Sequence, residues 1–498
     1  MNKKSSLFVL PVAVMKRRYE QGYTVPLAKR VPFANDPWQI FYCLPKNDYA
    51  FFLDSVKAKG RQPTFSFFGT DPFLVLRKNK NKVILETNKK ERILKTSFIS
   101  TARLLFGRYR GRMWPEMPFF TGGALGCFGY GLAWDFERLP REVPKDTDSD
   151  DALLLFVKNV FVFDHHAEVL YLISNLIPSK RLTFEDAFRE AACDLMKLET
   201  HLFTTKTASA PLSGLTHFQA DIEKHVFKNM VRRAQRYIQA GDIYQANLSQ
   251  RFSFKFSGQS EMLYQLLRTI NPSPFASFLK LKETDVISAS PERLIKKTGN
   301  HCETRPIAGT RPRGEGMREH ERMRRELQSN HKERAEHIML VDLARNDLGR
   351  VCLPHSVRVN EMMVLEEYSH VIHLVSNVTG ELAPGWDQFD LLKAMFPGGT
   401  ITGCPKIRCM EVINELEPFA RNFYTGSIGY LDFNGNMDLN IVIRTIVLEG
   451  ERGYFQVGAG IVYDSDPESE FQETMHKGQA LVEALRQMAH AEDPVLRY

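Results

Sequence analysis

Strand-like and helix-like segments follow one another irregularly along this chain of 498 residues, and that order constrains its fold more than any other feature. Short runs of alternating apolar and polar residues between positions 37 and 86 predict strands, and so do the segments 426–433, 438–448 and 454–462. A regular alternation of strand and helix would predict a parallel sheet. The irregular order instead predicts an α+β fold with large, mostly antiparallel twisted sheets.

Helices are predicted where apolar residues recur about every 3.6 positions. The segment 222–240 has this period and ends at Gly241, and a further helix begins at Pro405 and ends before Pro418. Helices are also predicted at 184–198, 318–346 and 468–487. The segment 204–215 is rich in Thr, Ser, Ala and Pro, a composition typical of a linker. We therefore predict two domains, 1–215 and 216–490.

Composition excludes several classes of protein. The net charge of +7 suggests a nucleic-acid partner, but the arginine-rich region 311–334 is interleaved with glutamates, which is typical of a solvated helix. Nucleic-acid binding is therefore not expected. The seven cysteines are scattered and never form a CxxC pair, which fits a reducing compartment, with the cytosol as the expected location. No run reaches 18 apolar residues, so no membrane-spanning segment is expected.

Acidic residues near the end of the chain form a candidate metal site. If 468–487 is a helix, then Glu470, Glu473 and Lys477 project from one side of it, beside a small-residue turn at 458–460. Carboxylates are the ligands that Mg²⁺ prefers, and a glycine turn offers backbone N–H groups to an anion. The alternative is a solvated helix face that carries a Glu473–Lys477 ion pair.

Three other features leave two interpretations open. The glutamate at position 336 lies where a predicted helix changes from charged to apolar, so it either reaches inward to share a metal with Glu473 or stays at the surface. The histidine at position 373 lies in an apolar run and is either a core residue or a catalytic one. The segment 396–406 leads into a predicted helix and is either an anion site at the helix start or a plain glycine-rich loop.

Taken together, the motifs of this chain resemble those of chorismate-utilising enzymes, in particular the large synthase subunits of anthranilate synthase and 4-amino-4-deoxychorismate synthase. The resemblance covers nearly the whole chain and is densest from about 220 to 485. It is carried by the segments 241–249 (GDIYQANLS), 290–293 (SPER), 305–311 (RPIAGTR), 335–343 (AEHIMLVDL), 398–406 (GGTITGCPK), 426–430 (GSIGY), 443–444 (IR) and 458–477. The resemblance implies sheets packed as a sandwich with helices outside, and a chorismate-binding catalytic domain at 216–490.

The family's functional residues can be carried over to matching positions. The resemblance implies that Glu336 and Glu473 hold Mg²⁺, with Glu470 close to the ion, that Glu292 is the general acid for the departing C4 hydroxyl, and that His373 lies by the ring. It further implies that the carboxylates and enolpyruvyl group of chorismate are bound by Gly309, Thr310, Thr400, Tyr430, Arg444, Gly458, Ala459, Gly460 and Lys477.

The glutamine at position 245 narrows the reaction. Relatives that add water have a lysine general base at this position, whereas relatives that add an amine resemble this chain in having glutamine. The nucleophile is therefore expected to be ammonia. No nucleophile-elbow cysteine motif occurs in the sequence, so a separate class I glutamine amidotransferase subunit is expected to supply it.

Two features disagree on whether ammonia enters at C4 or at C2. An alanine at position 308 is the anthranilate-type residue, where 4-amino enzymes often have a lysine. Against it, the segments 396–403 and 426–430 and the start of the chain resemble the 4-amino family. We predict 4-amino-4-deoxychorismate synthase, with anthranilate synthase as the alternative.

The resemblance also implies a tryptophan pocket in the N-terminal half. The matching residues are Leu53, Asp54 and Ser55, with Pro274, Phe275 and Ala276 as the facing wall. Asp54 replaces the usual glutamate and Ala276 replaces a larger residue. These departures leave tryptophan binding open and argue against feedback inhibition.

Overall fold

The computed structural model describes residues 10–56, 64–87, 90–117, 119–140, 143–203, 214–313, 316–367 and 371–489. Two sheets dominate the fold, each with 12 strands, and neighbouring strands within both sheets pair antiparallel. The predicted α+β fold with large antiparallel sheets is confirmed.

The first sheet combines strands from the beginning, the middle and the end of the chain. In spatial order these strands are Val25–Pro32, Val169–Leu176, Asn159–Asp164, Phe65–Thr70, Tyr49–Asp54, Phe275–Leu281, Thr284–Ser290, Thr445–Glu449, Arg452–Ile461, Gln245–Ser257 and Gly214–Ala220, and the short strand Gly403–Cys404 pairs with Gln245–Ser257.

The second sheet is assembled in the same way. Its strands in spatial order are Ile307–Pro312, Val371–Glu381, His301–Thr304, Arg293–Thr298, Met437–Asn440, Ser427–Asp432, Gly123–Phe128, Ala152–Val157, Leu74–Asn79, Lys82–Thr87 and Lys90–Leu94, and Arg358–Glu367 pairs with Val371–Glu381.

Helices cover the outer faces of both sheets. They span Val12–Glu20, Pro37–Cys43, Phe98–Arg108, Phe184–Thr200, Lys224–Gln239, Ser260–Ile270, Met317–Ser329, His331–Gly349, Gln388–Met395, Lys406–Leu416 and Pro467–Ala489. Short 3₁₀ turns span Tyr130–Asp135, His201–Phe203 and Gly399–Ile401. Within the described residues, none of the helices has the length and apolar character needed to cross a bilayer.

The main core lies between the two sheets. Phe67 of the first sheet packs against Tyr430 of the second at 5.3 Å, beside the buried cluster that holds Leu125 and Leu155. Separate clusters join each sheet to its outer helices: Leu105 and Met410 belong to the one on the second sheet, and Phe227 and Phe471 to the one on the first. The predicted sandwich with helices outside follows from this arrangement.

The predicted division at residue 215 does not separate the sheets. Strands from both sides of this position lie in each sheet, as with Tyr49–Asp54 paired to Phe275–Leu281 and Gly123–Phe128 paired to Ser427–Asp432. The proposed linker at 204–215 falls outside the described residues except for Gly214 and Leu215, which begin a strand. The two-domain division stays a prediction, while both sheets are shared by its two parts.

Some predicted elements differ from the structure for local reasons. Part of the first predicted strand region forms the helix Pro37–Cys43, because Asp36 accepts a hydrogen bond from the Trp38 N–H at 3.0 Å and Pro37 suits the first helical turn. The single helix predicted at 318–346 is two helices, because Asn330 ends the first and its side chain accepts from the Glu333 N–H at 3.1 Å to begin the second.

Candidate active site

Two segments of chain cross between the two sheets side by side. The strands Thr284–Ser290 and Arg293–Thr298 lie in different sheets, so Glu292 lies in the first crossing. The strand predicted at 438–448 is likewise two strands in different sheets, and Arg444 lies in the second crossing with a left-handed φ of 52°. The Ile441 N–H donates to the Glu292 carbonyl oxygen at 3.0 Å, which holds the two crossings together.

The Glu292 carboxyl is the buried acid of this region, with 5% of the residue exposed. The Thr400 hydroxyl donates to its Oε1 at 2.8 Å, and the Ile307 N–H also donates to it. Burial raises the pKa of Glu292 to about 7, although both donors and the positive charges of Lys477 and Arg444 oppose the shift. A substantial fraction of this carboxyl is therefore protonated at neutral pH.

The glycines at 458 and 460 lie in the strand Arg452–Ile461, so the predicted turn at 458–460 is wrong. At Gly458 space requires glycine, because a Cβ would lie 2.8 Å from the Leu248 carbonyl oxygen. A Cβ on Gly458 would also lie 2.6 Å from Asn247 Oδ1 and 2.7 Å from the Tyr424 hydroxyl, and one on Gly460 would lie 2.5 Å from Gln245 Nε2. Polar side chains of neighbouring segments therefore close over this stretch of backbone.

The Lys477 ammonium connects the last helix to this glycine strand. It donates to the Gly458 carbonyl oxygen at 2.9 Å and lies 2.7 Å from the Glu473 carboxylate. Its charge also acts on Glu292, so Lys477 lies between the exposed helix surface and the buried acid. The ion pair that the alternative interpretation expected between Glu473 and Lys477 is present, and the pair is also adjacent to the site.

The histidine at position 373 is buried, and its ring hydrogen-bonds to the backbone of Gly309. Burial and the nearby Arg444 cation lower the pKa of His373 to about 4, so the ring is neutral at pH 7. The facing strand has a bulge between Ala308, which pairs with Leu374, and Thr310, which pairs with His373. Gly309 sits in the bulge with φ of 65°, a conformation that favours glycine.

Comparison with known proteins decides the family. Residues 48–483 match the family described as chorismate binding enzyme. The chain is 38% identical over 460 residues to anthranilate synthase component 1 of Acetivibrio thermocellus, covering 91% of this chain and 93% of that protein. It is 40% identical over 463 residues to aminodeoxychorismate synthase component 1 of Bacillus subtilis, covering 92% and 97% respectively. This chain belongs to the chorismate-binding enzyme family.

A solved structure agrees with the family assignment. The crystal structure of anthranilate synthase component I from Streptococcus pneumoniae matches with a TM-score of 0.76 at 32% identity, covering 90% of this chain and 97% of that one. The resemblance inferred from the sequence motifs is therefore confirmed at the level of the family, and relatives named for both amination reactions are similarly close.

Three of the residues carried over from the chorismate-binding family lie around Glu292. Thr400 binds its carboxyl directly, and Arg444 and Lys477 act on its charge. Gln245 lies beside Gly460, and among the described residues its buried Oε1 atom has no hydrogen-bond partner. Ala459 points to the opposite face of its strand, into the apolar cluster with Phe471. Ala459 thus contributes backbone only.

The structure corrects the predicted role of Tyr430. It was expected to bind chorismate, but its ring packs against Phe67 at 5.3 Å and Phe120 at 4.9 Å and lines a different cavity. The tyrosine that faces the glycine strand is Tyr424, which is buried with its hydroxyl over Gly458. Sequence reasoning missed Tyr424 because no rule of residue spacing shows which of the two tyrosines faces the site. The structure distinguishes them, since Tyr424 lies in the turn before the strand Ser427–Asp432 and Tyr430 lies within that strand.

The cavity that Tyr430 lines has a volume of 330 Å³ and lies at the expected tryptophan pocket. Ser55, Pro274 and Phe275 line it together, as the resemblance implied. The Asp54 carboxylate beside them is fully buried and lies 2.8 Å from the Arg268 guanidinium and 2.8 Å from the Ser66 hydroxyl. Its charge is thus neutralised within the chain, and tryptophan binding stays a prediction.

The expected metal ligands lie on two helices that both reach the site. Glu336 is half-buried on the helix His331–Gly349, one turn before Leu340, and Leu340 lines a small cavity together with Glu292. Glu473 lies on the last helix next to Lys477. Carboxylate oxygens suit Mg²⁺, which usually keeps several waters and needs only one or two protein carboxylates. The chemistry of Glu336 and Glu473 therefore fits the ion.

The third expected ligand, Glu470, has a different environment. Its carboxylate is buried and accepts a hydrogen bond from the Ser465 hydroxyl at 2.6 Å, and Ser465 also accepts from the Val462 N–H at 3.0 Å. This arrangement closes the loop before the last helix. Among the described residues, no three His, Cys, Asp or Glu side chains are grouped as a metal site. Metal binding by Glu336, Glu470 and Glu473 stays a prediction.

Proposed function

We propose that this chain is the synthase subunit of a 4-amino-4-deoxychorismate synthase, which replaces the C4 hydroxyl of chorismate with an amino group from ammonia. The observation that carries the loss of the C4 hydroxyl is the buried Glu292 carboxyl, with a pKa raised to about 7 beside a hydroxyl donor and two cations. A hydroxyl leaves poorly as an anion. A carboxyl that is protonated at neutral pH can donate its proton to the departing oxygen, so that water leaves.

The cations of the site match the charge of the substrate. Chorismate carries two carboxylates, and Arg444 and Lys477 supply positive charge on two sides of Glu292. The Tyr424 hydroxyl over Gly458 adds a hydrogen-bond donor on the glycine strand. We infer that these groups hold the dianion with its C4 oxygen toward Glu292. The neutral His373 ring then adds no further charge and can accept or donate a proton near the ring.

Ammonia as the nucleophile is supported by Gln245. An amide cannot remove a proton from water, whereas its buried Oε1 atom can accept a hydrogen bond from an N–H of ammonia. Ammonia forms a bond to C4 as the C4–O bond breaks, the oxygen leaves as water with the proton of Glu292, and the added nitrogen then loses one proton. That proton restores the carboxyl. We propose that a class I glutamine amidotransferase subunit supplies the ammonia.

Glu336 and Glu473 are the residues that would hold Mg²⁺, with Glu470 close to the ion. Bound there, the ion would withdraw electrons from the ring carboxylate of chorismate and favour attack by the nucleophile. Lys477, which pairs with Glu473, would keep the carboxylate oriented.

Anthranilate synthase is the second candidate, and Ala308 favours it. Alanine has no nucleophile to occupy C2, so ammonia itself can enter at that carbon. Loss of the C4 hydroxyl is common to both reactions, and the same acid serves both. The segments 396–403 and 426–430 favour the 4-amino enzyme.

Product analysis tests the proposal. Purified protein is incubated with chorismate, MgCl₂ and an ammonium salt at pH 8, and chorismate consumption is followed by chromatography. We expect 4-aminobenzoate to form only after a 4-amino-4-deoxychorismate lyase is added. Direct appearance of fluorescent anthranilate without the lyase would assign the second candidate, and no consumption of chorismate would contradict both.

A further inference from the structure

A buried ion pair lies directly behind the candidate site. Arg421 and Glu417 are 2.8 Å apart, and their side chains are only 1% and 2% exposed. Burying two charges is unfavourable unless their hydrogen-bonding groups are satisfied, so such a pair calls for a structural reason. Neither residue is among those that the sequence motifs assigned to the site.

Every N–H of the Arg421 guanidinium has an acceptor. The bonds run from Nε to Glu417 Oε2 at 2.9 Å, from Nη2 to Glu417 Oε1 at 2.8 Å and to the Asn247 carbonyl at 2.7 Å, and from Nη1 to the Ile401 carbonyl at 2.9 Å and to Thr425 Oγ1 at 3.2 Å. Five donors in a rigid plane therefore join three segments of the chain.

Each of these segments carries a residue of the site. Ile401 follows Thr400, whose hydroxyl binds the Glu292 carboxyl. Asn247 lies two residues after Gln245 and is opposite Gly460 in the sheet. Glu417 extends the contact, because its Oε1 accepts from the Ser249 N–H at 2.7 Å and from the Ser249 hydroxyl at 2.9 Å.

The guanidinium also contacts the tyrosine that faces the glycine strand. It lies 5.6 Å from the centre of the Tyr424 ring, within the range of a cation–π interaction. Arg421 thus contacts the groups that place the Thr400 hydroxyl, the Tyr424 hydroxyl and the Gln245 strand. It is itself buried behind them and has no free donor to offer a substrate.

We propose that Arg421, through its ion pair with Glu417, is a positioning residue that fixes the Thr400 hydroxyl against the candidate general acid. Without the planar fork, the Ile401 carbonyl loses its donor and the one-turn helix Gly399–Ile401 can shift. A small displacement of a positioned group is enough to lower a rate about 100-fold. The catalytic consequence rests on the proposed function, whereas the position of the hydroxyl can be measured without it.

The decisive measurement is the titration of Glu292 in the resting protein. Infrared difference spectra between acidic and alkaline samples show the protonated carboxyl band, and the Glu292→Gln variant identifies the Glu292 contribution. Because a hydroxyl donor stabilises the charged form, Thr400→Val is expected to raise the pKa of Glu292 by roughly half a unit to one unit. Arg421→Lys keeps the charge but lacks the fork, and we expect it to raise the pKa similarly.

A double-mutant cycle separates positioning from general damage. If Arg421 acts through Thr400, the Thr400→Val, Arg421→Lys double variant titrates like either single variant, because the hydroxyl contact is lost only once. If Arg421→Lys does not fold, Glu417→Gln replaces it in the cycle, because it weakens the same ion pair. The proposal is overturned if Arg421→Lys and Glu417→Gln leave the Glu292 titration at its wild-type value, or if the shifts simply add.

The matched control is Arg251→Lys on the strand that carries Gln245. Arg251 is also buried and paired in a fork, with Asp146 at 3.0 and 2.7 Å, but Asp146 belongs to none of the three segments that Arg421 joins. We expect it to lower stability without moving the Glu292 titration. With chorismate, Arg421→Lys should lower kcat about 10- to 100-fold with little change in KM. A wild-type protein that consumes no chorismate would contradict the proposed function alone, because the titration comparison does not need the substrate.

Discussion

The Thr400 hydroxyl donates a hydrogen bond to the Glu292 carboxyl at 2.8 Å, across 108 positions of sequence. One partner lies in the glycine-rich loop before the helix Lys406–Leu416, and the other in the crossing between the two sheets. The glycine-rich segment 396–406, for which the sequence left an anion site and a plain loop open, therefore supplies a hydroxyl to a buried acid. This contact links the motif at 398–406 to the motif at 290–293, and it makes Glu292 the first residue to test.

Replacing Glu292 with glutamine should remove the proton donor while keeping the shape of the side chain. We expect kcat for chorismate to fall by about 10²- to 10⁴-fold, the usual contribution of general acid catalysis. The matched control is Asp432→Asn, because Asp432 is also fully buried with a pKa raised to about 7 but lies beyond Tyr430 in the second sheet. Equal losses of turnover in the two variants would contradict the role of Glu292.

The same carboxyl makes stability depend on pH with a definite sign. Its pKa is about 7 in the folded protein and 4.5 in the unfolded reference, because burial disfavours the charge. The stability that the protonated form contributes is complete below pH 4.5 and is lost as pH rises through 7. The free energy of unfolding should therefore fall by on the order of 3 kcal/mol over this window because of Glu292 alone.

Urea unfolding at pH 5 and pH 8 measures this effect. The Glu292→Gln variant should show a smaller fall than wild type, since its side chain does not titrate. Lys477 and Arg444 face the carboxyl from the last helix and the second crossing, and Asp347, paired with Lys406, lines the same small cavity. Both proteins contain these groups, so the difference between their pH dependences reports Glu292. An unchanged pH dependence in the variant would show that Glu292 is charged throughout.

Sequence patterns predict the fold more completely than the site. Apolar residues predict the helix Lys224–Gln239 because one face of it is buried, and they predict the strand Gln245–Ser257 because nearly all of it is buried. The crossings at Glu292 and Arg444 have no such pattern, because a strand that changes sheets stays apolar on both sides of the crossing. The strand predicted at 438–448 is divided for this reason.

The motifs name Glu292, Thr400, Arg444 and Lys477, and the structure places the last three around the Glu292 carboxyl. They fail at Tyr430, which faces the other cavity, and they miss Tyr424 and Arg421. A buried arginine behind a site has no periodicity of its own. Only the three-dimensional partners of its guanidinium show what it holds.

Matched substitutions of the two tyrosines test the corrected assignment. Tyr424→Phe removes a hydroxyl that lies over Gly458, so we expect KM for chorismate to rise by about 10-fold, the value of one or two kcal/mol of hydrogen bonding. Tyr430→Phe should leave kcat and KM within twofold of wild type, because its ring packs against Phe67 and Phe120. Steady-state kinetics of both variants test this assignment. A raised KM in Tyr430→Phe with an unchanged KM in Tyr424→Phe would show that Tyr430 binds chorismate.

The last prediction concerns the metal. Glu473→Gln should lower turnover by orders of magnitude at millimolar Mg²⁺ through loss of a ligand. It should change the melting temperature little, because the Glu473 and Lys477 side chains are 49% and 43% exposed and such ion pairs contribute little stability.

Glu483→Gln on the same helix is the control, since Glu483 lies further along and contacts Gln487. Calorimetric titration with MgCl₂ gives a readout independent of activity, in which wild type and Glu483→Gln should bind the ion and Glu473→Gln should bind it at least 10-fold more weakly. Equal Mg²⁺ affinity in all three proteins would place the metal site elsewhere.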